Sequence, residues 1–182
     1  VTVLEAGPCQ VTQVKTVEKD GYESVQVGFS DAKEKHLNKP ILGHFYKSSV
    51  SPKRILAEFS KVPRFDYKAG QEFNVGLFKE GDYVTVRGKS KGHGFSGTVK
   101  KYSFSQQRKT HGQGDTHRHV GSIGAASYPS RVFPGKKMPS RYGNKKVSVR
   151  SLEVIKVDKD NNQLLIKGSV PGSTNGIVII TR

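Results

Sequence analysis

The chain has 182 residues, 34% of them hydrophobic, with a formal net charge of +16 and a pI near 10.0. That length suits one domain, or one domain plus an extension, and the low apolar share leaves room for only a modest core. A single cysteine, Cys9, excludes an intrachain disulfide and a cysteine zinc cluster, and no apolar run approaches the roughly 18 residues of a membrane-spanning helix.

Taken in order, the chain opens at Val1 on β-rich residues with no signal or transit pattern, and an opening without Met is read as a trimmed end. Gly7-Pro8 punctuates it as a turn. Val11 to Val17 and Tyr22 to Phe29 are β-branched and largely alternating, and Asp20-Gly21 lies between them, so this run predicts a β-hairpin. Asp31 to Asn38 predicts one or two helical turns, capped by Ser30 or Asp31 and ended by Pro40. Gly43 to Ser49 carries no clear pattern, and Arg54 to Phe59 is too short to settle between helix and strand. Glu72 to Phe78 and Tyr83 to Val86 predict strands joined by a Glu80-Gly81-Asp82 turn. After a long interruption, strand character resumes over Lys146 to Val157. Asp158 to Asn162 is a turn, Gln163 to Lys167 pairs back as a hairpin, and Gly176 to Thr181 predicts a buried final strand. Short strands with turn chemistry between them predict a mainly β fold, an antiparallel barrel or sandwich. No repeat or heptad pattern is present.

The interruption holds most of the charge. Arg87 to Arg150 contains 15 Lys and Arg against one acid, Asp115, a net of +14, whereas the rest of the chain contains 16 against 14, a net of only +2. The same stretch has half of the 20 glycines, four of the six histidines and no long apolar run. It lacks the makings of a core and repels itself, so it predicts an arm that is disordered in the free protein and needs a polyanion to offset its charge. A membrane surface is a poor match, because Gly and Pro break the stretch and the chain has no Trp. A nucleic acid is the better partner, and RNA is favoured over DNA because no helix is available to enter a major groove.

Three local patterns test that reading. Gly92-His93-Gly94-Phe95-Ser96-Gly97 matches a dinucleotide-binding fingerprint, but Thr98 to Phe104 alternates and predicts a strand where that site needs a helix. The glycines instead let a backbone flanked by Lys89, Lys91, Lys100 and Lys101 approach a phosphodiester. His111, His117 and His119 with Asp115 suggest a metal, but Arg118 lies among them and the spacing lacks a tight ligand pair; contacts to bases, phosphate or 2′-OH fit the mixture better. The stretch holds a single acid, so it offers no carboxylate pair for catalysis. Tyr102, Phe104, Tyr128, Phe133 and Tyr142 punctuate the stretch, either packing small clusters of the arm itself or stacking on unpaired bases. Pro129, Pro134 and Pro139 stiffen an extended path.

Three segments, Lys89 to Phe104, Thr110 to Met138 and Gly143 to Asp158, together with Leu164 to Gly176 and the earlier Asn38 to Phe59, closely resemble large-subunit ribosomal protein three in its bacterial and organellar form. The resemblance covers essentially the whole chain. It implies a translation-factor-like antiparallel β-barrel with a long, irregular basic extension inserted between its strands. Residues 1–87 are then the first part of the barrel, 88–145 an arm that penetrates rRNA, and 146–182 the remainder. The family's first strand, with its Gly-Met-Thr motif, is expected before residue 1. The implied role is that of a structural constituent of the large ribosomal subunit, without enzymatic activity or cofactor. It binds near the 3′ end of the large-subunit (23S) rRNA, nucleates assembly and sends its arm toward the peptidyl transferase centre. The implied partners are that rRNA and neighbouring large-subunit proteins, with no membrane and no DNA, in a cytoplasmic ribosome of bacterial or organellar type.

The residues expected to meet RNA are Lys89, Lys91, His93, Lys100, Lys101, Arg108, Lys109, His111, His117, Arg118, His119, Arg131, Lys136, Lys137, Arg141, Lys145 and Lys146. The resemblance places Ser122, Ala125, Ala126, Ser127, Tyr128 and Pro129 at the arm tip. Many bacterial members carry a glutamine, methylated in some, where this chain has Ser127, so that modification is not expected here. Met138-Pro139-Ser140-Arg141 also departs from the family's usual Met-Ala-Gly pattern. A different class of protein, an RNA-modifying or RNA-processing enzyme using His111 to His119, stands as the alternative. A free-standing translation factor has no nucleotide site to support it.

Overall fold

A computed structural model describes residues 1–63 and 65–182. In chain order its first half holds β1 (Thr2–Glu5), β2 (Cys9–Lys15), a single helical turn α1 (Val17–Asp20), β3 (Ser24–Asp31), helix α2 (Lys39–Lys47), β4 (Lys53–Ser60), β5 (Glu72–Phe73) and β6 (Tyr83–Lys89). Then come β7 (Gly94–Ser96), helix α3 (Thr98–Tyr102), β8 (Ser140–Tyr142), β9 (Lys146–Asp158), β10 (Gln163–Ile166) and β11 (Val178–Thr181). Short 3-10 turns occur at Glu34–His36, Val75–Leu77 and Asp115–Arg118. The fold is mainly β with antiparallel sheets.

The chain forms two compact units. One comprises Val1–Thr85, Arg150–Ser169 and Thr181–Arg182; the other comprises Val86–Val149 and Val170–Ile180. In the first unit, a four-stranded sheet runs in the order β4, β3, β2, β5. The predicted hairpin is present, with β2 and β3 paired from Cys9↔Phe29 to Lys15↔Ser24 and a register shift between Val11 and Gln13. Its connection contains α1, which Gly21 closes at φ 81°. Also in this unit, β10 pairs with β1 on one side, from Thr2↔Ile166 to Glu5↔Gln163, and with β9 on the other. The Asp158 carboxylate accepts the backbone N–H groups of Asp160 and Asn161 and so forms the turn into β10. The side chains of Val11, Val25, Phe45, Val50, Val75, Val84, Val154, Leu164 and Ile166 build the core here, each at most 6% exposed.

Several elements differ from expectation. Pro40 does not end a helix but sits in the first turn of α2, where its missing N–H has no helical acceptor to lose. The unpatterned Gly43 to Ser49 therefore falls mostly within α2, held by the fully buried Phe45. Arg54 to Phe59 is strand, within β4. Of the strand expected over Glu72 to Phe78, only Glu72–Phe73 pairs, and Val75–Leu77 is a 3-10 turn. Thr98 to Phe104 is not a strand, because Thr98–Tyr102 forms α3 and Ser103 ends it at φ 57°. The final strand begins at Val178 and is half-buried rather than buried.

One polar contact organises the β3–β4 pair. Asp31 lies opposite Lys53 in register, and the Lys53 ammonium donates to Asp31 Oδ1 at 2.7 Å. Lys53 is only 6% exposed. Its aliphatic stem crosses Gly28, where an added Cβ would lie 2.6 Å from Lys53 Cγ. The glycine is therefore required by the buried lysine stem, and the lysine's charge is met by the Asp31 carboxylate at the surface. The Lys53 hydrogen bond and charge hold the Asp31 pKa below the ordinary carboxylate value. Asp31→Asn is expected to destabilise the fold by about 0.5–1 kcal/mol, measured by urea unfolding at neutral pH, because it removes the charge partner of Lys53 at a site where Asp31 itself is largely exposed and solvent screens the pair. The depressed folded pKa fixes the sign. The contribution is complete above the unfolded value near ~3.9 and is lost as pH falls through the lower folded value, so wild type and variant should converge in acid.

Candidate nucleic-acid interface

The second unit carries 14 Lys and Arg against one acid, Asp115, a net of +13. Among the described residues, all five ion pairs belong to the first unit: Lys15–Glu58, Lys53–Asp31, Lys61–Glu23, Lys167–Glu153 and Arg182–Asp82. No Lys or Arg of the second unit has a carboxylate partner there. Its core is correspondingly slight. Val86 is its one buried hydrophobic residue among those described, beside buried Ser96 and Thr98.

Backbone closeness substitutes for apolar packing at the base of this unit. The Ser90 N–H donates to the Lys145 carbonyl, and the Asn144 N–H donates to the Ser90 carbonyl. Gly143, at φ 72°, presses against this crossing; a Cβ there would come within 1.9 Å of the Lys91 carbonyl oxygen. Gly88 is similarly confined by Pro171, whose carbonyl oxygen would lie 2.8 Å from an added Cβ. Beyond the crossing, β7 and β8 form a short ladder from Gly94↔Tyr142 to Ser96↔Ser140. The His93 ring stacks on Tyr142 with centroids 4.9 Å apart. This ladder also decides the glycine motif. A helix does follow Gly97, contrary to the alternation of the sequence, but α3 has only five residues and β7 pairs antiparallel, so no βαβ unit exists to bind a dinucleotide.

The sequence-predicted residues fall along this frame. Lys89 ends β6, Lys91 and His93 lie in the link to β7, and Lys100 and Lys101 are on α3. Arg108, Lys109 and His111 lie in the irregular segment after it. His117 and Arg118 are in the Asp115–Arg118 turn, with His119 directly following. Arg131, Lys136 and Lys137 precede β8, Arg141 is on it, Lys145 precedes β9 and Lys146 begins it. All are exposed except Lys101 and His117, which are half-buried. The tip residues Ser122, Ala125, Ala126, Ser127 and Tyr128 are exposed and Pro129 is half-buried, all in irregular chain. There the Ser122 hydroxyl donates to the Gly124 carbonyl at 3.1 Å, and the Ser130 hydroxyl donates to the Ser127 carbonyl.

Some of these residues converge. Lys101 donates to the Ser140 hydroxyl and lies 4.9 Å from the centroid of the Tyr102 ring, while Lys137 lies 5.7 Å from the same ring. The Lys101 ammonium also holds the Tyr102 phenol below its ordinary pKa, helped by the Ser140 hydroxyl and the Lys145 charge. Arg118 and His119 line an open cleft of about 510 Å³ with Gly97, Thr98, Gln107 and Pro139. Lys89 and Lys91 line a second, of about 440 Å³, whose other wall is Gly172, Ser173, Gly176 and Ile177. None of these wall residues is among those the sequence singled out to meet RNA. The only signal there was a run of small, uncharged residues, Gly168 to Gly176, that follows β10. Among the described residues, no three His, Cys, Asp or Glu side chains gather with the spacing of a metal site, and His111, His117 and His119 do not converge.

The arrangement is a surface of unpaired cations with glycine-rich backbone and open clefts, suited to tracking a phosphodiester chain. Gly143→Ala is expected to open the crossing at the base. Limited proteolysis should then cut residues 90–145 several-fold faster, while unfolding of the first unit changes little. Lys101→Met should raise the Tyr102 pKa toward the ordinary phenol value, read by NMR titration of labelled tyrosine.

Comparison with known proteins gives a consistent result. A family model for Ribosomal protein L3 matches residues 65–164. The "Large ribosomal subunit protein uL3" of Thermotoga petrophila is 49% identical over 180 residues, covering 99% of this chain and 86% of the relative. The proteins of the same name from Fervidobacterium nodosum and Petrotoga mobilis are 48% and 47% identical over the same length, with 86% and 84% of each relative covered.

Proposed function

The chain belongs to the uL3 family of large-subunit ribosomal proteins, structural and non-enzymatic components of the ribosome, and from that premise we propose that it binds large-subunit (23S) rRNA directly through its second unit. The observation that carries this reading is the concentration of 14 cations against a single acid in a unit with almost no apolar core and no internal ion pairs among the described residues. Such a unit is offset by a polyanion, and its exposed lysines and arginines neutralise phosphates without reading sequence. The first unit has its own core, nearly balanced charge and all five ion pairs among the described residues, so it serves as the folded anchor. The family further suggests a docking site near the 3′ end of the rRNA, a role in nucleating subunit assembly, and an arm directed at the peptidyl transferase centre with Ser122 to Pro129 at its tip. It also suggests contacts with neighbouring large-subunit proteins, in a cytoplasmic bacterial-type ribosome. The enzyme alternative built on His111 to His119 is set aside with the family assignment.

Nucleotide-resolution footprinting tests the division of labour. The whole chain should protect a discrete 3′-end site and, in an assembled particle, nucleotides near the catalytic centre. Replacing residues 100–144 by a short Gly-Ser linker removes nine Lys and Arg. It should abolish only the second footprint and flatten the dependence of affinity on salt by roughly 0.7–0.9 log units per lost phosphate contact. Loss of both footprints on that replacement, or diffuse binding with no discrete site, rules out the two-part mechanism.

A further inference from the structure

Phe95 stands apart from most aromatics of the basic unit. Tyr102 lies under Lys101 and Lys137 and beside Phe104, Phe133 has Arg131 over its ring, and Tyr142 is stacked by His93. Phe95 is 79% exposed and has neither an aromatic nor a cationic neighbour over its ring among the described residues. Tyr128 is bare as well, but it lies in irregular chain. The placement of Phe95, by contrast, is fixed. It is the middle residue of β7, so the alternation that turns buried Ser96 inward turns Phe95 outward. Its cross-strand partner is Arg141, exposed on the same face. The opposite face holds Ser140, tied to Lys101, and Tyr142, stacked on His93, and these contacts brace the ladder from behind.

Building on the rRNA-binding reading above, we propose that Phe95 and Arg141 form a stacking platform for an unpaired base of RNA. A bare aromatic ring on a braced strand, next to a guanidinium, offers a flat face to the base and a charge to the adjoining phosphate. The surroundings select this ligand over an apolar protein partner. The nearest side chains on the ladder are basic or polar, and the unit as a whole carries +13, which opposes docking of an apolar face and favours a polyanion.

The chain lacks tryptophan, so Phe95→Trp introduces a single indole that is excited selectively at wavelengths beyond the absorption of the seven tyrosines. Titration with a bacterial large-subunit rRNA transcript should quench this fluorescence and shield it from acrylamide over the concentration range in which filter binding shows the complex forming. Phe95→Ala should weaken binding by about 5- to 150-fold with the salt dependence unchanged, whereas Phe95→Tyr should retain affinity. Arg141→Gln should weaken binding and also reduce the salt slope by about one phosphate contact. If the RNA binds normally while the introduced indole stays bright and accessible, the platform is wrong although the rRNA reading stands. If the indole is shielded only when another ribosomal protein is added, the face belongs to a protein partner and the platform is equally wrong. If no RNA binds at all, both readings fail. Far-UV circular dichroism of each variant separates these outcomes from loss of folding.

Discussion

Like charge without a core is the constraint on which the second unit depends. Fourteen cations and one carboxylate occupy it, and a single hydrophobic side chain among its described residues is fully withdrawn from water. Each lysine raises the free energy of bringing the next one near, and little burial offsets it. What order the unit has comes from contacts that cost no apolar surface: main-chain hydrogen bonds at the Ser90–Lys145 crossing, the three-residue ladder of β7 and β8, and cations resting over Tyr102 and Phe133. These suffice to define a path. They leave the net charge uncompensated, and under the rRNA-binding proposal that is the term a phosphate backbone would supply.

The first unit solves the same problem in the opposite way. Four of its lysines meet carboxylates among the described residues, with Lys15 reaching Glu58 at 2.7 Å and Lys53 reaching Asp31 at the same distance across the strand pair. Its core is made of valine, leucine, isoleucine and one phenylalanine, most of them on strands. Glycine also plays different parts in the two units. Gly28 makes room for a lysine stem inside a sheet, whereas Gly88 and Gly143 let main chain approach main chain where there are few side chains to pack. A Cβ is excluded at all three; a side chain alone is the reason at Gly28, main chain makes the closest approach at Gly143, and at Gly88 the Pro171 carbonyl is joined by the Pro171 and Val178 side chains.

Much of this was legible in the sequence where periodicity and turn chemistry agreed. The β2–β3 hairpin, the long β9 and the β9–β10 turn follow directly from alternation broken by Asp-Gly and by Asp158 to Asn162. The misreadings share a cause, which is that short segments carry too little pattern to outweigh tertiary context. Thr98 to Tyr102 alternates like a strand but forms a helical turn, because buried Thr98 and the left-handed Ser103 fix its ends. Pro40 reads equally well as a stop or a start, and the burial of Phe45 five residues later decides for the start. In the candidate site, charge located the unit and its exposed lysines. Charge was silent on which aromatics are already engaged. Four rings with partners were therefore singled out beside Tyr128, while Phe95, hidden inside a glycine motif, was passed over.

That omission bears on how such an arm gains specificity. Phosphate contacts scale with the number of cations and tolerate any register, so a surface of lysines alone would slide along RNA. Fixing one register requires a contact made at only one nucleotide. Rings already covered by lysine, arginine or histidine have committed their faces to the protein itself and stiffen it. A ring left bare on a paired strand of the unit, held from behind by the His93–Tyr142 stack and the Lys101–Ser140 contact, is free to make that contact. Under the proposal, the division between covered and bare aromatics therefore separates internal bracing from recognition, a distinction that net charge alone does not make.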